Sequence, residues 1–446
     1  MLWTTASAVS YCDPSVQFTY GPFIVGGPTG DSAVEIGCSG PGGSSTPDVV
    51  VRVNGSGQIV SNANFASANN VSPEYLGISP GNQLAVGWGP FFVGEDAITV
   101  QGGASFSAYN KAIFYGEQLD ALGNLYVLAQ TKGGGPVTLD ASITLPGNAA
   151  VTTWLVREGP SGPKVYGITA PASYLADGQA GVFYHGALTS TLNLGCGPMV
   201  PTSPSSGYLA RLDPLGACLY ANLLPIGPLV IADGQGGVLL YSDAKAPMDL
   251  GCGTKSVAPG GSTVFARLDG AGTCVFGGSF DMTLLNFRFG PGGTVVVSGI
   301  VPGTTVDLGT GPLLPIGIQD LVVASIDPLG NVLGARRFGA PGLMMHGSVT
   351  QSQKGDIYIK TSYPGAVDFG GGPVTALYGD FVMVSLSPSC GHRWSRALPI
   401  IGAYDTVVDG CGGLVVVSRD PAFDPGGGTF IPTNVGKAIG FARFQP

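Results

Sequence analysis

The residues of this chain that could do chemistry are few, and most of them repeat. Aspartates recur in two turn contexts, Asp213, Asp269 and Asp327 in one and Asp249, Asp307, Asp368 and Asp424 in the other. A ring of calcium ligands is one chemistry open to them. Calcium takes six to eight oxygens, several from one loop, and each of these loops offers about one. Asp ahead of a Gly or Pro turn bonds its own backbone two residues on, and that is the role expected. Arginines recur as Arg52, Arg211, Arg267 and Arg443, with Arg157 in a weaker copy. They could ring a pore or a face. Their alternation with apolar neighbours favours solvated strand positions whose stems lie along the sheet.

Nucleophilic and metal chemistry find little support. Gly77-Ile78-Ser79-Pro80-Gly81 spells the G-x-S-x-G of hydrolases. That chemistry needs a strained strand-to-helix turn, and Pro80 sits where the helix would begin. With 74 glycines in the chain, the match is expected by chance. None of His185, His346 and His392 occupies a repeated position, and no CxxC occurs, so no zinc set or Ser-His-Asp set is marked. Gly370-Gly371-Gly372 reads as a turn rather than a phosphate-cradling loop. No catalytic residue, no cofactor and no metal are expected, and the chain is read as a non-enzyme.

The eight cysteines are spaced for local pairing. Cys196 to Cys218 and Cys252 to Cys274 are 22 residues apart and Cys390 to Cys411 is 21, which leaves Cys12 with Cys38. Each closed loop adds roughly 3 kcal/mol in the chain-entropy account. Disulfides place the chain in an oxidising, extracytoplasmic setting, secreted or on a cell surface. The alternative is buried free thiols in a reducing compartment. Met1-Leu2-Trp3 lacks the basic and apolar regions of a signal peptide, so a targeting segment is expected to be absent from this chain.

The composition narrows the class further. Gly and Pro, 74 and 35 of 446 residues, are about a quarter of the chain, but 44% hydrophobic residues argue against disorder. The net charge is −9 with 19 scattered basic residues, so a nucleic-acid face is not expected. No 18-residue stretch free of Gly, Pro or polar breaks could span a membrane.

The elements that must position all of this come from an internal repeat. VVVRVNGSG (49–57), YLARLDPLG (208–216), VFARLDGAG (264–272), VVASIDPLG (322–330), FVMVSLSPS (381–389) and GFARF (440–444) are copies of one phrase, aligned on Arg52, Arg211, Arg267, Ser325, Ser385 and Arg443. A degenerate copy is expected near Ala112-Ile113-Phe114-Tyr115. A turn phrase such as ADGQGGVLLY (232–241) and a short strand such as LNLGCGP (192–198) keep the same period of about 56 residues. Four short strands per unit is the anatomy of a propeller blade. Leu2-Trp3-Thr4-Thr5-Ala6 matches Arg393-Trp394-Ser395-Arg396-Ala397, so the N-terminal strand is expected to complete the last unit.

VDFGGGPVT (367–375), IDPLGNVLGARRFG (326–339) and DGCGGLVVV (409–417) resemble the Gly-rich SBBP-type β-propeller repeats of secreted bacterial proteins. The resemblance implies a secreted or surface propeller without a catalytic set.

The expectation is therefore one all-β domain over 1–446, a closed propeller of eight four-stranded blades, with seven as the alternative. The units are 16–65, 66–117, 118–171, 172–228, 229–282, 283–344, 345–400, and 401–446 with 1–15. Trp3 and Trp394 are expected between blades. Trp88, Phe91, Phe92 and Tyr109, in the least regular units, are the candidates for a ligand face, with core packing as the competing role. The function expected is a binding or interaction scaffold for a protein or glycan. The alternatives are a self-associating structural subunit and a polysaccharide-active enzyme with carboxylates from different blades converging in the channel.

Overall fold

Runs such as Val238-Leu239-Leu240, Val295-Val296-Val297 and Ile357-Tyr358-Ile359 are apolar at every position rather than every second one. Successive side chains of a strand point to opposite faces, so such a strand must be covered on both. In the computed structural model Val238 and Leu240 pack on Phe183 and Leu209 of the preceding sheet. Leu239 packs with Phe287 and Val295 of the following one. The structure describes strands from residue 3 to residue 444. It describes side chains from 118 to 398, apart from 119, 121, 132–135, 140–142, 146–152, 167–172, 284–285, 353 and 378–380, together with 414 and 415.

The described strands form eight four-stranded antiparallel sheets, numbered here in chain order. They span 24–65, 72–107, 112–167, 173–224, 229–280, 283–338, 346–398 and 403–444. Within each, strand follows strand across the sheet. A short ribbon folds out between the second and third strands of several sheets, for example Leu192–Asn193 with Pro198–Met199 in sheet four. The first strand of each sheet lies against the first strand of the next, and that of sheet eight, Ala403–Val408, lies against that of sheet one, Ile24–Gly26. Trp3–Ser7 pairs with Ile439–Phe444, Trp3 opposite Arg443, and supplies the fourth strand of sheet eight. Meanders stacked through their first strands are the blades of a β-propeller. Helix is confined, among the described residues, to one 3-10 turn at Pro291–Gly293, and no helix is long and apolar enough to cross a membrane. One expectation needs correction. Residues 112–119 are the first strand of sheet three, not a degenerate third strand; the third strand of sheet two is Ala97–Val100 and carries no arginine.

The described turns confirm the aspartate reading, with Asp424 outside the described residues. Asp213 Oδ1 accepts the Leu215 and Ala217 amides, both at 2.8 Å, and Asp269 and Asp327 do the same for their own turns. Asp327 also takes the Asn331 side-chain amide at 2.8 Å, which holds its carboxyl below the usual carboxylate value. In the ribbons, Asp249, Asp307 and Asp368 accept the amide two residues on.

A third aspartate set lies in the first turn of sheets three to five: Asp120, Asp177 and Asp233. The described arginines of the repeat, Arg157, Arg211 and Arg267, are not solvated, which overturns the strand-surface reading for them; the Arg52 and Arg443 side chains lie outside the described residues. Arg157 is buried, and the Arg211 and Arg267 side chains are only 11% and 13% exposed. Arg211 donates to Asp177 Oδ2 from Nη2 at 2.7 Å and from Nε at 3.0 Å, and to the Gly270 carbonyl of sheet five at 2.6 Å. Arg267 repeats this one sheet on, reaching Asp233 at 3.4 Å and the Gly293 and Pro328 carbonyls of sheet six at 2.9 and 3.3 Å. Arg157 reaches across to the Ala180 carbonyl of sheet four. In sheets four and five the aspartate turn closes on glycine, where a Cβ at Gly181 or Gly237 would stand 2.5 or 2.3 Å from the aspartate Oδ2; in sheet three Asn124 holds that position. Where sheets six and seven have Ser325 and Ser385 in place of arginine, Gly290 and Ser352 stand in place of the aspartate. The ionic partners are thus lost together, as burial of a lone charge requires.

Two expected disulfides form. Cys196–Cys218 and Cys252–Cys274 tie the ribbon tip to the start of the fourth strand, with Cα atoms 5.5 and 5.1 Å apart. Cys390 does not pair as expected with Cys411; it is a buried free thiol. The residue matching Cys218 and Cys274 at the start of the strand is His392, two positions later. Cys390 instead holds the positive-φ turn position of Gly216, Gly272 and Gly330, at φ 61°. Those glycines abut Tyr166, Tyr220 and Phe276 of the preceding sheet. Here the preceding sheet has Gly334, whose carbonyl accepts the Cys390 thiol at 3.3 Å. The side chain has moved from one side of the interface to the other. The Cys12, Cys38 and Cys411 side chains lie outside the described residues.

Three outcomes follow from this packing. Arg211→Ala leaves Asp177 buried without its cation and is expected to cost about 3 kcal/mol, read as a lower urea midpoint; a change under about 0.5 kcal/mol would show the staple to be idle. Burial pushes the Cys390 thiol up to about 12, so peptide mapping should find it unalkylated in the native protein and alkylated in denaturant. Burial lowers His185, in the second strand of sheet four, from 6.5 to about 4. Between those values the unfolded chain binds a proton that the folded chain refuses, so this contribution is whole above pH 6.5 and is lost as pH falls toward 4. The unfolding free energy from urea titration should fall across that range by on the order of 3 kcal/mol, and His185→Gln should flatten the slope.

Candidate binding cleft

The turns that carry the arginine staples lie at one end of the sheets. The opposite end holds the connections from second to third strand and from sheet to sheet, which no repeated polar pair ties down among the described residues. A cleft of about 520 Å³ opens there, between sheets five and six, a size that suits a small ligand or a few residues of a larger one.

Each wall has a local cause. Asp243 is the penultimate residue of the second strand of sheet five, Val238–Ala244. Asp281 follows the last strand of that sheet, Cys274–Phe280, in the step to sheet six. Ser262 and Thr263 open the third strand between them, and both are buried. The Ser262 hydroxyl donates to Asp281 Oδ1 at 2.6 Å and itself accepts the Ala258 amide at 2.9 Å. The Thr263 hydroxyl donates to Asp243 Oδ1 at 2.8 Å and lies 3.0 Å from the Met282 carbonyl. Each carboxylate is therefore oriented through one oxygen by a buried hydroxyl. Among the described residues nothing donates to Oδ2 of either. Lys245, Met282, Thr283, Pro302, Thr304 and Thr305 complete the lining, with Gly260 and Gly261.

Chemically this is a fixed pair of hydrogen-bond acceptors with negative charge, hydroxyls around it and one ammonium at the edge. It suits ligand groups that donate hydrogen bonds or carry positive charge. Both aspartates belong to one sheet, whereas the enzyme alternative called for carboxylates from different blades. No grouping of three or more His, Cys, Asp or Glu able to hold a metal occurs among the described residues.

The cleft was not singled out by sequence. Asp243 and Asp281 lie where sheet four has Ala187 and Pro225, so the available signal was departure from the repeat. Of the residues that sequence did single out, the side chain of Trp88, in the second strand of sheet two, lies outside the described residues, as do Phe91, Phe92, Tyr109 and Ser79. Trp394 stacks within its own sheet against Tyr358, centroids 6.2 Å apart. The Trp3 side chain lies outside the described residues. His392 is half-buried rather than exposed, with Nε2 3.1 Å from Ser395 Oγ. His346 is exposed at the start of its strand, remote in sequence from the cleft.

The sequence matches no family model and no curated protein. Among solved structures, the chain is similar to the Dos1 propeller, at 12% identity over 96% of this chain and 93% of that one, with a TM-score of 0.40. It is similar to oligopeptidase B from Trypanosoma brucei, at 11% identity and TM-score 0.44, and to puromycin hydrolase, at 14% and 0.36. It spans 95% and 91% of itself in those two alignments but only 54% and 51% of the peptidases, about half their length. At these scores the likenesses carry no functional argument, and the fold rests on the strand order itself.

Proposed function

We propose that the chain is a non-enzymatic binding propeller whose ligand seat is the cleft between sheets five and six. The eight sheets are its blades, closed into one ring by the pairing of the first and last strands. The observation that carries the functional reading is the pair of carboxylates, each held through one oxygen by a buried hydroxyl and left with the other oxygen for a ligand. Sites built for recognition place a few polar groups rigidly in a concavity, and this one is supported by strand ends rather than loops. The two disulfides support an oxidising setting, so the reading is of a secreted or surface protein.

The test is thermal-shift screening of amines, basic peptides and oligosaccharides against the native chain and an Asp243→Asn, Asp281→Asn double variant. A ligand that raises the native Tm by several degrees should lose most of that effect in the variant. Hits that stabilise both proteins equally would place the seat elsewhere.

A further inference from the structure

The connection that forms one wall of the cleft also carries an apolar shelf. In sheet six the segment between Pro302 and Gln319 includes Leu314-Pro315-Ile316-Gly317-Ile318. Leu314 is 68% exposed, Ile316 45% and Ile318 59%, and Met344 beside them is 58% exposed. Ile318 joins Met344 through the Gln319 to Met344 bridge and its own amide bond to the Leu343 carbonyl at 3.1 Å. Isolated exposed aliphatics need no explanation, but four together form a patch. The matching segments of sheets four and seven each expose a single aliphatic, Val200 and Leu377, whereas sheet six sets three within five residues.

The shelf is held rigid at its base. Asp320 and Arg337 form an ion pair at 2.6 Å, with side chains 0% and 2% exposed. Asp320 accepts the amides of Ile316 and Gly317 at 2.9 and 2.8 Å. Arg337 donates to the carbonyls of Thr304, Leu313 and Pro302 at 2.5, 3.2 and 3.3 Å. Pro302 and Thr304 line the cleft, while Leu313 leads into the shelf. One guanidinium nitrogen holds both the Thr304 and the Leu313 carbonyls, so cleft wall and shelf share one anchor. A Cβ on Gly303 would sit 3.8 Å from the Gly317 carbonyl. A desolvated ion pair is a costly anchor for a loop that presents aliphatic side chains to water.

We propose that the ligand is an extended polypeptide segment that places a basic side chain in the cleft and aliphatic side chains, a few residues away, on the shelf. The proposal rests on the cleft being the ligand seat. The carboxylate pair and the net charge of −9 supply the charge complementarity, and the shelf, which carries no charge, favours aliphatic rather than sugar surface.

The experiment is fluorescence anisotropy of labelled hexapeptides with the whole chain, using alternating Lys and Leu, alternating Glu and Leu, and alternating Lys and Ser. The Lys-Leu peptide should bind tightest. The Asp243→Asn, Asp281→Asn variant should weaken it about tenfold and remove most of its salt dependence. Ile316→Ser with Ile318→Ser should weaken it about tenfold and keep the salt dependence. All four positions are exposed, so unchanged Tm values should accompany both variants. Equal binding of the Glu-Leu peptide, or no effect of the isoleucine variant, overturns the proposal. If the Lys-Ser peptide binds as well as Lys-Leu and depends only on the aspartates, the polypeptide-plus-shelf reading falls while the cleft stands. If no basic probe binds and no screened ligand depends on the aspartates, the cleft reading falls with it.

Discussion

A four-stranded sheet that is apolar on both faces cannot satisfy itself, and the rest of this molecule follows from that. Val238 and Leu240 need one neighbour and Leu239 needs another, so each sheet must be sandwiched between two others. In a row of sheets the two at the ends would each expose a face of this kind to water. Here the first strand of sheet eight lies against that of sheet one, and Trp3–Ser7 pairs with Ile439–Phe444 across the chain ends. The same pairing removes a free strand edge that would invite association.

Charged groups between such sheets are kept with an ionic partner. Arg211 and Arg267 each take the aspartate of their own first turn and a carbonyl of the next sheet, which fixes both spacing and stagger. Substitutions that spare the interface come in matched sets. Ser325 goes with Gly290 and Ser385 with Ser352, so no charge is stranded. Cys390 replaces a turn glycine where Gly334 replaces an aromatic, so the contact is kept with its bulk on the other side. Interiors packed at crystal density respond to change in this compensated way.

The opposite end of the sheets is under no such constraint. Its connections can differ from unit to unit once the strands are in place, and rigid scaffolds commonly carry their variable, ligand-facing groups on such segments. Asp243 and Asp281 are departures from the repeat that line one cleft, and the Leu314 to Ile318 segment is tied to the wall of that cleft through Arg337. The buried Asp320 and Arg337 pair gives that corner the rigidity that the arginine staples give the other end.

The repeat phrases by themselves determined the all-β class, the four-strand unit, the union of the terminal strands, the Asx turns and two disulfides. Each depends on local patterning or on pairing at a fixed spacing, which a period of about 56 residues exposes. What the sequence left undecided were matters of which group meets which across a sheet interface. Arg211 looks like a surface strand residue until Gly270, 59 positions away, is seen to accept its guanidinium. Cys390 has the right spacing for a disulfide, but a two-residue offset from the strand start turns its thiol inward to Gly334. Asp243 and Asp281, 38 positions apart, become one site only because Ser262 and Thr263 stand between their strand ends. Tertiary structure decided the first two because burial and partner choice there are set by a neighbouring sheet a whole repeat away, and the third because strand pairing within sheet five joins residues far apart in the chain.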